Sequence, residues 1–173
     1  GTRNTAVGYQ ALKANTTAND NTAVGRQTLL ANTTGASNTA LGKSAMTDST
    51  TGDHNTAVGN NCLLANTTGV ENTAVGAFAL DANTTGSYST AVGYNALAAN
   101  TTGSQNTALG SLAGEDLTTG QFNTLIGYTA GRNITTGSNN TVVGHNDLVA
   151  ATTGSGNQDV VTASSITVME VSG

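Results

Sequence analysis

The chain has 173 residues, a formal net charge of −5, only 9% charged residues, no Pro or Trp and a single Cys. Its mild, scattered negative charge argues against a nucleic-acid partner and against attachment to anionic membrane surfaces. No apolar run approaches the ~20 residues of a membrane-spanning helix, so we expect no membrane insertion. A disordered chain would normally carry more charge and more Pro.

One pattern recurs from the start of the chain, with NTAVG at its beginning and TTG near its end. If the Asn of NTAVG is position 1, the first copy begins at Asn4 and the ninth at Asn140, each 17 residues after the last. Position 2 is always Thr, position 5 always Gly, and positions 13 and 14 always Thr. Positions 6, 7, 10, 16 and 17 vary. A fixed period without insertions indicates a stacked repeat architecture.

This period predicts the fold class, because helical repeats need roughly 33 residues or more. We therefore expect an all-β protein, a parallel β-solenoid or β-roll of nine 17-residue coils. NTAV would form one strand of each coil, and positions 8 to 13 would form a second. Coils ~4.8 Å apart would build a rod of roughly 40 Å. The array is predicted to span 1–156, with 157–173 as a transition to a following module or a frayed end.

The alternation of side chains along a strand assigns an expected role to each column of the NTAVG strand. The large aliphatic residue of position 4 is expected to fill the core of the coil. The predicted core residues are Val7, Val24, Leu41, Val58, Val75, Val92, Leu109, Ile126 and Val143. Gly at position 5 is expected to turn the chain, since it adopts positive φ readily. The predicted turn residues are Gly8, Gly25, Gly42, Gly59, Gly76, Gly93, Gly110, Gly127 and Gly144.

Position 3 would then point out of the coil as a second apolar column. The residues of this column are Ala6, Ala23, Ala40, Ala57, Ala74, Ala91, Ala108, Leu125 and Val142. Continuous exposed apolar stripes usually mark interfaces, so this column predicts an oligomer interface in a homotrimer. The alternative is that Ala merely suits a tight outer strand.

Two late copies differ from the others in their apolar residues. Position 9 is Leu or Met in the first six copies but Gly114 and Gly131 in the next two. The same two copies carry Leu117 and Ile134 at position 12, where most others have Asn. An apolar side chain has moved rather than vanished, which predicts that this side of the coil is packed.

Residues typical of catalytic or metal sites are scattered. His54 and His145 fall at positions 17 and 6, so they do not stack in one column, and neither has a second His or Cys at ligand spacing. Asp147 and Asp159 form no catalytic pair. Cys62 replaces Ala at position 8, which indicates a small buried residue. We therefore expect no enzyme activity, no metal and no cofactor.

Two sets of polar and aromatic residues allow a functional reading beside a structural one. The first set fits a glycosylation sequon and consists of Asn15, Asn32, Asn66, Asn83 and Asn100. The repeat explains these residues more simply, as side chains that bond to the backbone at turns. The second set consists of Tyr9, Tyr94 and Tyr128 at position 6 and Tyr88 and Phe122 at position 17. These rings could stack on sugars, although surface variation explains them as well.

The arrays of the NTAVGYQALKANTTG type resemble the shaft repeats of bacteriophage tail fibres and of related bacterial fibre proteins that end in a self-cleaving chaperone domain. Residues 106–144, NTALGSLAGEDLTTGQFNTLIGYTAGRNITTGSNNTVVG, are especially similar. NTAVG is also similar to the shorter head repeats of trimeric autotransporter adhesins, a resemblance that implies a parallel β-roll in a trimer. The resemblance covers residues 1 to about 156 and is more specific for architecture than for function.

The predicted function is therefore a structural fibre module, the shaft of a phage tail fibre that presents a receptor-binding tip for host attachment. The partners of the chain would be other copies of itself, in a homotrimer, and a glycan or protein receptor on the host. The chain would be located in the tail fibre of the virion. A bacterial cell-surface adhesin or extracellular filament is the alternative. An ice-binding solenoid is a third reading, suggested by the Thr columns. The adjacent Thr side chains at positions 13 and 14 of each repeat, however, would point to opposite faces.

Overall fold

The computed structural model describes residues 1–146 and the strand 158–162. Its ten strands form one sheet and follow one another in the order of the chain. The strands are β1 (Thr5–Val7), β2 (Thr22–Val24), β3 (Thr39–Leu41), β4 (Thr56–Val58), β5 (Thr73–Val75), β6 (Thr90–Val92), β7 (Thr107–Leu109), β8 (Thr124–Ile126), β9 (Asn140–Gly144) and β10 (Gln158–Thr162). Every neighbouring pair is parallel, so the predicted parallel β-solenoid is confirmed.

The register of the sheet reproduces the sequence period. From β1 to β9 each residue pairs with the residue 17 positions later, as Thr73 does with Thr90. The last step differs, because Gln158 of β10 pairs with Asn140 of β9, a separation of 18 residues. The predicted boundary between residues 156 and 157 lies outside the described residues.

Each of the eight coils within residues 4–139 contains one strand rather than the two that the sequence predicts. Positions 6 to 11 form turns, as residues 9–14 show in the first coil, and positions 12 and 13 belong to no strand. The physical reason is that positions 7, 9 and 17 adopt the left-handed conformation, with φ between 49° and 61°. A β-strand cannot continue through residues of that conformation.

These left-handed residues are held by hydrogen bonds between coils. Gln27 at position 7 donates its backbone N–H to Tyr9 O at 2.8 Å, and Ser37 at position 17 donates to Asn19 O at 3.1 Å. Leu29 at position 9 donates to Ala45 O at 3.1 Å in the following coil. A left-handed non-Gly residue costs roughly 1–2 kcal/mol, and this cost is offset by the ladder of bonds to adjacent coils.

The glycines of position 5 have φ between 127° and 156° in all nine copies; those from Gly8 to Gly127 bend the chain as predicted, whereas Gly144 is the last residue of β9. Steric crowding is a second reason why position 5 is Gly. A Cβ on Gly76 would collide with the carbonyl group of Gly93 in the next coil. Coil stacking therefore excludes every other residue at this corner.

The assignment of core and interface in the strand was wrong, because the two columns are reversed. From the second coil on, position 3 lies fully buried inside the coil, as Ala74 and Leu125 do. Position 4 is half-buried or exposed, and Val7, Leu41 and Leu109 are 57%, 47% and 49% exposed. The predicted core column from Val7 to Val143 therefore faces outward. The predicted interface column lines the interior from Ala23 to Val142 and cannot contact another chain there, whereas Ala6 in the first strand is exposed.

The reason for this reversal is the width of the interior. Leu or Met at position 9 already fills it, together with the small residue of position 8, so only Ala fits opposite at position 3. Where position 9 is Gly, a larger side chain fits at position 3. A Cβ on Gly114 or Gly131 would collide with the side chain of Leu125. The predicted compensation at position 12 is confirmed, since Leu117 and Ile134 are fully buried.

A column of amides at position 1 closes seven of the first eight coils, the exception being the sixth, which has Ser89. Asn72 at position 1 donates its Nδ2–H to Gly86 O at 2.9 Å and accepts the Ser89 backbone N–H on its Oδ1 at 3.0 Å. Its own backbone N–H bonds to the Oδ1 of Asn55 at 3.0 Å. Each amide thus joins the two ends of its own coil and one coil to the next, which explains the recurrence of Asn at position 1.

Candidate functional site: the outward face of the sheet

The flat outer surface of the sheet carries two uncharged columns. Thr at position 2 and the aliphatic residue at position 4 lie on either side of the buried position 3, as the burial pattern of β2 to β8 shows. We call these two columns the Thr/aliphatic face. With strands ~4.8 Å apart, the eight steps from β1 to β9 give it a length of roughly 38 Å.

This face is apolar without contributing to the core of the solenoid. The aliphatic side chains of position 4 are exposed in β1, β3 and β7 and half-buried in the other strands up to β9, and none of them belongs to the buried core. Positions 2 and 4 stay Thr and Val, Leu or Ile in all nine copies, whereas the neighbouring position 6 changes freely. Continuous exposed apolar surfaces of this kind mark binding surfaces.

Exposed variable residues flank the face on both sides. The position-17 column lies two residues before each of the strands β1 to β8 and the position-6 column two residues after it, and Asn139 and His145 lie directly beside β9. Five large aromatic side chains occur there, and all are exposed: Tyr9, Tyr88, Tyr94, Phe122 and Tyr128. Tyr128 stacks on His145 with ring centroids 5.3 Å apart, and Tyr94 meets Phe78 edge-on at 6.1 Å.

The remaining predicted site residues are not brought together. His54 lies exposed in the position-17 column and His145 in the position-6 column, on opposite sides of the face. Asp147 lies outside the described residues, and Asp159 belongs to β10. Within residues 1–146 and 158–162, no three His, Cys, Asp or Glu side chains are grouped as metal ligands would be.

Cys62 is buried, as predicted. Its Sγ–H points to Ala74 O at 3.2 Å, and burial raises the pKa of the thiol to about 12. A thiol with so high a pKa carries almost no thiolate at neutral pH and is a poor nucleophile.

The sequon asparagines serve the fold, as the structural interpretation predicted. Asn32, Asn66, Asn83 and Asn100 are fully buried, and the Nδ2–H of Asn32 donates to Gly35 O at 2.9 Å. The amide nitrogen that would carry a glycan is therefore inaccessible in these four residues, whereas Asn15 in the first coil is half-buried and donates its Nδ2–H to Ala18 O at 3.3 Å.

Charged side chains pair along columns rather than across the face. Arg3 donates to Asp20 at 2.5 Å, and this contact lowers the pKa of the Asp20 carboxyl group. Arg132 donates to Glu115 at 2.7 Å, again between residues 17 apart.

The described residues include no helix of the length and hydropathy needed to cross a bilayer. Comparisons of the chain with family models, with curated proteins and with solved structures found no match.

Proposed function

We propose that this chain is a structural fibre module, a segment of the shaft of a phage tail fibre, in which copies of the chain pack side by side. The shaft would hold a receptor-binding tip away from the virion for host attachment. The stacked coils support this role, because each coil adds a fixed length to a rod without any change in its cross-section.

The observation that carries the proposal is the exposed aliphatic column of position 4. A lone solenoid leaves this column in water from Val7 to Val143, and a second copy placed against it would remove it from water. Burial of apolar surface contributes about 25 cal/mol per Å², so the gain grows with every added coil. The resemblance to trimeric adhesin head repeats favours three copies rather than two.

Sedimentation velocity over a range of protein concentrations tests this proposal. We expect a species of about three chains that persists on dilution and appears in electron micrographs as short rods of uniform width. A monomer at all concentrations would contradict it. Neighbouring genes for capsid and baseplate proteins, rather than for secretion, would distinguish a phage fibre from a cell-surface filament.

An ice-binding surface is a second candidate, and one observation favours it. Thr at position 2 and the aliphatic residue at position 4 are two apart on one flat strand, and the pair repeats in register along the sheet. A regular array of hydroxyl and methyl groups can order water. Thermal hysteresis of the purified chain tests this candidate, and its absence would exclude it.

A further inference from the structure

The two columns that flank the Thr/aliphatic face carry different residues at each level of the rod. We call the residues on either side of one strand a row. From β1 to β9 the position-17 column reads Arg3, Asp20, Ser37, His54, Glu71, Tyr88, Gln105, Phe122 and Asn139. The position-6 column reads Tyr9, Arg26, Lys43, Asn60, Ala77, Tyr94, Ser111, Tyr128 and His145.

The two residues of one row cannot touch within a single chain. They are six residues apart, and a three-residue strand with a bend on either side separates them by at most about 20 Å. Between copies the geometry differs. A rotation about an axis parallel to the rod leaves every residue at its own height, so in a parallel cyclic assembly the position-17 column of one copy lies beside the position-6 column of its neighbour, row by row.

The rows match in chemistry when the columns are paired in this way. Both aromatic residues of the position-17 column fall in rows where position 6 is also aromatic. Tyr88 shares the β6 row with Tyr94, and Phe122 shares the β8 row with Tyr128. Aromatic pairs of this kind contribute beyond their buried area.

The charged rows are compatible with the same pairing. Asp20 shares the β2 row with Arg26, so the carboxylate that already accepts from Arg3 would meet a second guanidinium. No row from β1 to β9 sets two like charges against each other. Charge arrangements of this kind select one partner orientation over another.

An antiparallel arrangement with full overlap pairs the same residues poorly. It would place the position-17 column against itself in reverse order. Glu71 would then face Glu71 of the second copy, Tyr88 would face His54, and Phe122 would face Asp20. The like charges and the unmatched aromatic rings disfavour this alternative.

The area of the surface suits a stable contact. The Thr/aliphatic face alone is narrow, but the strip between the two flanking columns measures up to about 20 Å by 38 Å, or at most roughly 760 Å² in plan. This value is close to the ~800 Å² that each partner contributes to a typical stable interface.

We infer that the occupant of this surface is a second copy of the chain in parallel orientation and equal height, with register set by the pairing of position 17 with position 6. This inference rests on the proposed association of copies and adds its orientation and register. In the assembly, Tyr88 of one copy meets Tyr94 of the next, and Phe122 meets Tyr128.

Disulfide cross-linking between two differently tagged chains tests the inference. Both chains carry Cys62→Ala, one also carries Tyr88→Cys, and the other also carries Tyr94→Cys. After co-expression and oxidation, we expect a cross-linked heterodimer on a non-reducing gel. Phe122→Cys with Tyr128→Cys provides a second matched pair, so the test does not depend on one substitution. Either tagged chain alone should give no cross-linked dimer.

A pair shifted by two rows, Tyr88→Cys with Tyr128→Cys, is the control, because its two sites lie about 10 Å apart along the rod. We expect at least tenfold less heterodimer from this pair. Cross-linking of the Tyr88→Cys chain with itself, or preferential cross-linking of the shifted pair, would overturn the parallel register. Failure of both matched pairs in a sample that sediments as an oligomer would also overturn it and would leave the fibre proposal standing. A wild-type chain that sediments as a monomer would overturn both.

Discussion

Replacing Asn72 by Ala tests the column of buried amides that closes the coils. The substitution removes the acceptor of the Ser89 N–H and one donor to Gly86 O. The Ser89 N–H is then buried without a partner, which costs about 1–3 kcal/mol. Loss of the bond to Gly86 O costs only about 1 kcal/mol, because Asn83 still donates to that carbonyl. We expect Asn72→Ala to lower the free energy of unfolding by roughly 2–4 kcal/mol.

Urea unfolding followed by circular dichroism measures this change. Asn60→Ala is the matched control, because Asn60 is exposed at position 6 and its replacement should alter stability by less than about 0.5 kcal/mol. The reasoning would be refuted if Asn72→Ala and Asn60→Ala unfolded at the same urea concentration.

Three further substitutions probe the coil interior. Ser89→Asn restores the amide that the sixth copy lacks, and we expect urea unfolding to show a gain of about 1 kcal/mol; a loss would mean that the interior there has no room for it. Leu125→Ala empties the space beside Gly114 and Gly131, and we expect a loss of about 2–5 kcal/mol in the same assay; a loss below about 1 kcal/mol would contradict the packing. The pKa of the Cys62 thiol is about 12 in the folded state, above its unfolded value of 9.0. Above pH 9 only the unfolded state loses this proton, so the free energy of unfolding falls as the pH rises towards 12. Comparison with Cys62→Ala at about pH 7.5 and about pH 10.5 measures this loss, and equal pH dependence of the two proteins would disprove it.

The period of 17 residues was sufficient to predict the parallel stacking of the coils. Residues that recur without insertion from Asn4 to Asn140 can lie above one another only if every coil has the same path. The position-5 glycines could likewise be predicted as turns. The second strand could not be excluded, because left-handed Leu, Tyr and Phe residues are rare and their conformation depends on bonds between coils.

The side chains of the NTAVG strand that face the interior were predicted wrongly, because the larger side chain of positions 3 and 4 was assumed to be buried. In this narrow coil the side chain of position 9 occupies the interior, so Ala faces inward and Val faces outward. One signal in the sequence could have revealed this. Leu125 replaces Ala at position 3 between the two positions at which Gly114 and Gly131 replace Leu at position 9. When one position gains a larger side chain where another loses one, the two side chains occupy the same part of a close-packed interior.

A pair of adjacent substitutions in β5 tests the central claim, that the aliphatic column faces outward and is covered by another copy. Ala74→Asp would bury a carboxylate without a partner, and we expect it to prevent folding or to lower the unfolding free energy by several kcal/mol. Val75→Asp would place the charge on the Thr/aliphatic face, and we expect a folded chain that no longer associates. Circular dichroism and sedimentation velocity of the two variants give the answer together. A folded, associated Val75→Asp protein, or an unfolded Val75→Asp beside a folded Ala74→Asp, would contradict the account.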